Sequence, residues 1–91
     1  FGSCRWLVDS LAPRFGIEAT TIDAADNDAW EAAIRPNTKV FFFETPANPT
    51  LDIVDMAHVC ALARAHAITT VVDNAFASPA LQRPLEFGAD V

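Results

Sequence analysis

The sequence predicts an α/β fold built around a mostly parallel β-sheet, on the basis of three observations. Helical and strand patterns alternate along the 91 residues, a rhythm typical of βαβ units. Residues 39–44 and 68–73 are nearly continuous apolar runs, as in parallel strands that are covered on both faces. Apolar residues make up 52% of the chain and charged residues only 20%, so large surfaces must be buried.

The first half of the chain predicts two helices and one strand. Apolar side chains recur at helical spacing over residues 3–14, and Gly16 ends the run. Residues 17–22 predict a short strand. Asp26 suits the N-cap of a second helix, which continues to Ile34 and stops before Pro36.

The second half predicts two strands joined by a helix. Residues 39–44 form the first strand, and the two prolines in residues 45–50 make the next segment a loop. Asp55 begins a helix that runs to about His66, and residues 68–73 form the second strand. Residues 74–84 predict a loop with room for one helical turn, and residues 88–91 begin a further strand.

Three polar residues fall where these strands end. Parallel strands with right-handed crossovers place their carboxyl ends at one sheet edge, where ligands bind in open α/β sheets. Glu44, Asn48 and Asp73 lie at or just beyond that edge. A carboxylate that ends a buried strand is costly to desolvate unless a cation or hydrogen-bond donors meet it. Asp73 is therefore either the partner of a bound cation or the cap of the next turn.

The other polar candidates also have structural interpretations. Glu44 is either a second ligand or acid–base group, or a structural acid that accepts loop N–H groups or pairs with an arginine. Asn48 is either a ligand-facing amide or an ordinary turn residue. Arg83 is either an anchor for a substrate carboxylate or part of a salt bridge. His58 and His66 fit solvent-exposed helix positions without metal-ligand spacing, so no metal site is predicted.

Charge and composition disfavour several classes of function. The formal net charge of −6 argues against nucleic acid and against a polybasic membrane contact. No apolar run approaches the ~20 residues of a membrane-spanning helix. With only three glycines, the chain contains no phosphate-binding glycine-rich loop. Cys4 and Cys60 have no disulfide or metal pattern, which favours reduced thiols in a cytoplasmic protein.

Two longer motifs are much more specific than this pattern. Residues 44–51 read ETPANPTL, and residues 71–90 read VVDNAFASPALQRPLEFGAD. Together with DIVD at 52–55, PRFG at 13–16 and WEAAIRPNT at 30–38, they resemble the Cys/Met metabolism family of pyridoxal-phosphate enzymes. That family includes cystathionine synthases and lyases, methionine γ-lyase and homoserine-ester sulfhydrylases. The resemblance covers essentially the whole chain.

The resemblance implies a pyridoxal 5'-phosphate cofactor and assigns roles to the strand-edge residues. Asp73 matches the family aspartate that pairs with the cofactor's pyridinium nitrogen, and Asn48 matches the asparagine that hydrogen-bonds near its phenolic oxygen. Glu44 matches a glutamate that supports these contacts without making them. Ala75 stands where the family commonly has threonine, so a hydroxyl near the cofactor is missing.

The resemblance also implies parts that lie elsewhere. The family forms a Schiff base with a lysine, but the single lysine, Lys39, begins a strand ~17 Å from the ligand edge. We therefore expect that lysine downstream of Val91 and no catalytic residue within residues 1–91. We expect residues 1–91 to be a central fragment of the large, cofactor-binding domain, a three-layer αβα domain of fold type I. The fragment should be inactive alone, and the full-length protein a homo-oligomer, a tetramer.

Residues 1–5, FGSCR, look most like the O-succinylhomoserine sulfhydrylase branch of the family. The implied reaction is γ-replacement on an O-acylhomoserine by sulfide or a thiol. An alternative within the family is a cystathionine or methionine γ-lyase. Alternatives of other classes are a magnesium-binding receiver-like module, with Glu44 and Asp73 as ligands, and a non-catalytic scaffold that has lost the cofactor.

Overall fold

A computed structural model describes residues 2–91 of the chain. Within these residues, four α-helices and two β-strands follow one another, joined by turns and loops. In chain order they are α1 (Gly2–Trp6), α2 (Asn27–Ala32), β1 (Val40–Glu44), α3 (Met56–Ala65), β2 (Thr69–Asp73) and α4 (Ser78–Leu81). A π-helical turn (Leu7–Leu11) and a 3-10 turn (Ala12–Phe15) follow α1, and a second 3-10 turn (Pro84–Phe87) follows α4.

The two strands pair in parallel, as the apolar runs predict. Val40 lies opposite Thr69 and Glu44 opposite Asp73, so both strands end at the same edge. Helix α3 provides the crossover between them, because two parallel strands cannot be joined by a tight turn. The α/β class and the parallel order of these strands are confirmed.

The core lies between α2, α3 and one face of the sheet. It consists of Trp30, Phe41, Phe43, Val54, Met56, Val59, Ala63 and Ile68. The Trp30 ring packs against Phe41 and Phe43 with centroid separations of 5.0 and 5.3 Å. Its indole N–H donates to the Ala24 carbonyl at 3.0 Å, so the one polar atom of this side chain is satisfied.

Both predicted helix caps are formed. The Asp26 carboxylate accepts from the Asp28 N–H at 3.0 Å, and the Asp55 carboxylate accepts from the His58 N–H at 3.0 Å. The latter bond, together with one from Asn27, lowers the pKa of Asp55. Helix α2 stops at Ala32, two residues earlier than predicted, since the backbone already tightens into a turn at Ala33.

Two predictions for the amino-terminal third are wrong. Residues 17–22 form no strand, because no described segment pairs with them, and an unpaired extended chain gains no ladder hydrogen bonds. Residues 3–14 are helical but not one α-helix. The helix widens at Leu7–Leu11, and Pro13 lies at the start of the 3-10 turn Ala12–Phe15.

The strand predicted at residues 88–91 does not form as a regular strand, although its last residues lie alongside β2. Val91 N–H donates to the Thr70 carbonyl at 3.1 Å, and Val72 N–H donates to the Val91 carbonyl at 3.0 Å. The Asp90 carboxylate accepts from both the backbone N–H and the hydroxyl of Thr70 at 2.8 and 2.9 Å. These two bonds lower the pKa of Asp90. Strand β2 is thereby hydrogen-bonded on both sides.

Candidate functional site

The two acidic residues predicted at the ligand edge are brought together. Glu44 and Asp73 end β1 and β2 and occupy the same register position on neighbouring strands. Both side chains are half-buried at the carboxyl edge of the sheet. This placement is the one expected for a ligand site in an open α/β sheet.

The Asp73 carboxylate is held by the turn that follows it. Its Oδ1 accepts from the Ala75 N–H at 3.0 Å, which is the Asx-type bond considered as one of its two alternatives. Its backbone carbonyl accepts from the Thr45 N–H at 3.3 Å. Within residues 2–91, no lysine, arginine or histidine forms a salt bridge with Asp73. The carboxylate is thus fixed in direction and still able to accept a charged donor.

Asn48 lies in the loop that leaves β1, and the base of this loop is pinned. Thr45, which is 0% exposed, accepts the Val54 N–H on its hydroxyl at 3.0 Å. Inside the loop, Ala47 N–H donates to the Asp52 carbonyl at 3.0 Å. The loop therefore returns on itself next to the strand end, with Asn48 half-buried in its middle.

The sequence did not predict that the amide side chains of Asn74 and Gln82 bond to each other next to the strand ends. Gln82 Nε2 donates to the Thr45 carbonyl at 2.8 Å and to Asn74 Oδ1 at 2.9 Å. Asn74 Nδ2 in turn donates to the Gln82 carbonyl at 2.7 Å. Both amides lie within the motif at 71–90, but their spacing of eight residues has no helical or strand periodicity that would have marked them as partners.

The remaining candidates lie away from this edge. Lys39 immediately precedes β1 at the opposite end of the sheet, where its carbonyl accepts the Thr69 N–H at 2.9 Å. Arg83 pairs with Glu86 at 3.2 Å in an exposed salt bridge, the structural alternative named for it. His58 and His66 are exposed. Cys60 is buried, and desolvation raises the pKa of its thiol.

The described part of the chain contains no group of three or more His, Cys, Asp or Glu side chains arranged to hold a metal ion. Among residues 2–91 there is also no helix with the length and apolarity needed to span a bilayer.

Comparison with known proteins identifies the family. The sequence model described as "Cys/Met metabolism PLP-dependent enzyme" matches residues 1–91. The chain belongs to this family. The name of the Cys/Met metabolism PLP-dependent family states its cofactor, and the cofactor implied by the sequence motifs is thereby confirmed.

Individual relatives in this family carry out different reactions on sulfur amino acids. Over all 91 residues the chain is 48% identical to O-succinylhomoserine sulfhydrylase of Pseudomonas aeruginosa, and it covers 23% of that protein. Over 77 residues, 85% of the chain, it is 51% identical to L-methionine gamma-lyase of Pseudomonas putida and covers 19% of it. The chain therefore spans less than a quarter of the length of these relatives.

A solved structure shows the same backbone arrangement. Cystathionine gamma-lyase from Lactobacillus plantarum, crystallised with L-serine, matches 98% of this chain with a TM-score of 0.95 and 45% sequence identity. The chain covers 23% of that protein. The α/β fold predicted from the sequence is thus also found in the matching part of this solved cystathionine gamma-lyase.

The strand-edge residues fit the cofactor that the family name states. A protonated pyridine nitrogen needs a fixed anionic acceptor, and the Asp73 carboxylate has its Oδ1 oriented by Ala75 and no salt bridge to any described residue. The Asn48 amide lies in the loop that follows β1, the strand beside β2, and the hydrogen bond between Thr45 and Val54 holds the base of that loop. The donor and acceptor types are those that a charged, hydroxylated aromatic ring requires.

Proposed function

We propose that residues 1–91 form a central part of the cofactor-binding large domain of a pyridoxal-phosphate enzyme of sulfur amino-acid metabolism. In this proposal the full-length protein catalyses γ-replacement on an O-acylhomoserine by sulfide or a thiol. The observation that carries the proposal is the Asp73 carboxylate at the carboxyl edge of the sheet, in a chain that matches the family over its whole length.

Asp73 and Asn48 are the residues that would hold the cofactor ring. Pyridoxal phosphate, when bound, supplies an electron sink for a carbanion on the substrate, and ring protonation strengthens that sink. A charge-assisted hydrogen bond from ring N–H to Asp73 contributes about 1.5–3 kcal/mol. This stabilisation raises the pKa of the ring nitrogen by about one to two units. Asp73 therefore keeps the proton on the ring at neutral pH.

Glu44 and Ala75 act through the residues that would contact the cofactor. Ala75 orients the Asp73 carboxylate through its backbone N–H, a contact that does not depend on the side chain. The alanine in place of the family's usual threonine therefore leaves this contact intact. Glu44 lies beside Asp73 in the sheet register, where it would support the strand end that carries Asp73 without contacting the ring itself.

The branch of the family is proposed from the relatives. The 48% identity to an O-succinylhomoserine sulfhydrylase extends over the full 91 residues, which favours γ-replacement. Phe1, the first residue of the FGSCR motif that also favours this branch, lies outside the described residues. The second candidate is a γ-lyase, favoured by the 51% identity to L-methionine gamma-lyase over 77 residues. The receiver-like alternative is not favoured, since the chain belongs to a pyridoxal-phosphate family.

The proposal also covers the oligomeric state and the cellular location of the full-length protein. One face of β1 presents Val40 and Phe42 to solvent at 53% and 45% exposure, which favours a further layer of the same domain over it. We place the full-length protein in the cytoplasm as a homotetramer, and the net charge of −6 over residues 1–91 argues against nucleic-acid or membrane contacts made by this segment.

The test compares wild-type full-length protein with Asp73→Asn and Asp73→Ala. Both variants should lose about 10- to 150-fold in kcat/KM, the equivalent of about 1.5–3 kcal/mol. Incubation of the wild type with O-succinylhomoserine and sulfide should yield homocysteine faster than incubation with L-methionine yields methanethiol. Lys39→Met is the matched control, because Lys39 lies at the far end of the sheet.

Each arm has an outcome that contradicts it. Unchanged turnover in Asp73→Ala would exclude an ion pair between Asp73 and the ring. Faster methanethiol release from methionine than homocysteine formation would replace γ-replacement by the γ-lyase activity. If Lys39→Met lost as much activity as Asp73→Asn, the loss in Asp73→Asn could not be attributed to the position of Asp73 at the carboxyl edge of the sheet.

A further inference from the structure

Gln82 joins the two strand ends that carry the candidate cofactor contacts. Its side-chain nitrogen donates one hydrogen bond to the Thr45 carbonyl, the first residue after β1, and one to Asn74 Oδ1, the first residue after β2. The donor–acceptor distances are 2.8 and 2.9 Å, which is normal for strong amide hydrogen bonds. The Gln82 side chain thus links the two residues that directly follow the ends of β1 and β2.

The bond between Asn74 and Gln82 runs in both directions. Asn74 Nδ2 returns a hydrogen bond to the Gln82 carbonyl at 2.7 Å, so that each residue donates to the other. Ser78 N–H donates to the Asn74 carbonyl, and Gln82 N–H donates to the Ser78 carbonyl. The backbone between Asn74 and Gln82 is therefore also held by hydrogen bonds. Because both N–H donors of the Gln82 amide and one of the Asn74 amide are engaged, neither amide can rotate without losing bonds.

The same contacts reach both residues proposed to hold the cofactor. Thr45 N–H donates to the carbonyl of Asp73, and the Thr45 hydroxyl pins the base of the loop that carries Asn48. Gln82 holds the remaining polar group of the Thr45 backbone, its carbonyl. A shift of Gln82 would therefore be transmitted to Asp73 and to the Asn48 loop together.

We propose that Gln82 is a positioning residue that fixes the Asp73 carboxylate and the Asn48 loop relative to one another for the cofactor ring. The proposal rests on the proposed function of Asp73. The chemistry at this position requires a long side chain with two donors, since both partners are acceptors. Glutamate offers no donor when ionised, and asparagine is one methylene shorter.

The test uses the full-length protein and the variant Gln82→Met, which keeps the length of the side chain and removes both donors. Apoprotein should bind pyridoxal phosphate roughly tenfold more weakly than wild type, or about 1.4 kcal/mol, as expected for the loss of one or two neutral hydrogen bonds. The pKa of the ring nitrogen, followed by solid-state 15N NMR of ring-labelled cofactor, should fall by about one unit.

Thr70→Val is the matched control for stability. Thr70 is buried on the same strand as Asp73, and its hydroxyl bonds to Asp90 and to Cys60, neither of which lies at the carboxyl edge of the sheet. This variant should lower the melting temperature of the apoprotein, as Gln82→Met does, yet leave cofactor affinity and the ring pKa unchanged. If Gln82→Met fails to fold, the milder variant Gln82→Asn should lower cofactor affinity and the ring pKa by smaller amounts.

Two results would overturn the inference. Wild-type affinity and ring pKa in both Gln82 variants would exclude a positioning role. A fall in affinity and ring pKa in Thr70→Val as large as that in Gln82→Met would reduce Gln82 to a stabilising residue, because lost stability alone would then account for both. Asp73→Asn, measured in parallel, separates this inference from the proposed function. A lowered ring pKa in Asp73→Asn alone contradicts only the role of Gln82, whereas an unchanged ring pKa in Asp73→Asn contradicts both.

Discussion

Replacement of Thr45 by valine isolates one buried hydrogen bond at the base of the Asn48 loop. Thr45 is 0% exposed, and its hydroxyl accepts the Val54 N–H at 3.0 Å. Valine has nearly the same shape but cannot accept a hydrogen bond, so the Val54 N–H stays buried without a partner. An orphaned donor of this kind costs about 1–3 kcal/mol. The locally open population should therefore rise about 5- to 150-fold.

The assay is amide hydrogen exchange at Val54 in the full-length protein, with wild type, Thr45→Val and Thr45→Ser compared under identical conditions. Serine keeps the hydroxyl and loses one methyl group, which costs about 0.8 kcal/mol of buried apolar contact. Exchange at Val54 should thus accelerate about 5- to 150-fold in Thr45→Val and at most about fourfold in Thr45→Ser.

Wild-type exchange at Val54 in Thr45→Val would refute the claim that this bond anchors the loop. Acceleration in the serine variant but not in the valine variant would point instead to methyl packing as the stabilising contact. In either case the link between Thr45 and the Asn48 loop would have to be abandoned.

Two further predictions concern the segment beside β2. Because hydrogen bonds from Thr70 lower the pKa of Asp90 below its ordinary 3.8, its stabilising contribution is complete above that pH and is lost as pH falls through the lower folded value. The difference in melting temperature between wild type and Asp90→Asn should therefore close on acidification, and a gap independent of pH would contradict this. Gly88→Ala should destabilise the protein by about 1–3 kcal/mol in thermal unfolding, given its φ of +98° and the approach of a new Cβ to within 2.7 Å of Arg64 Nη2. Restoration of the wild-type melting temperature by adding Arg64→Ala would show that the clash, and not the backbone, dominates.

The strands at the centre of the site were predictable because their signal is local. Residues 39–44 and 68–73 are apolar runs that end in acids, and this pattern places Glu44 and Asp73 at one edge once the strands are parallel. The caps at Asp26 and Asp55 are equally local, since each depends on a carboxylate and an N–H two or three residues away.

What sequence reasoning missed depends on partners that are distant in the chain. The segment 17–22 has strand-like composition but no strand beside it among residues 2–91, so composition alone misassigned it. Gln82 bonds to Thr45 across 37 positions, and no periodicity encodes such a contact. The motif at 71–90 identified the family, but the role of a polar residue inside it depended on the three-dimensional arrangement.

The bonding of β2 on both flanks has a consequence for motion at the ligand edge. Opening of β2 requires the loss of its bonds to β1 and to Asp90 and Val91 together, whereas the loop between Thr45 and Val54 is held by a few contacts. Segments with fewer bonds fluctuate more readily. The strand end that carries Asp73 should therefore move less than the middle of the loop between Thr45 and Val54, which carries Asn48.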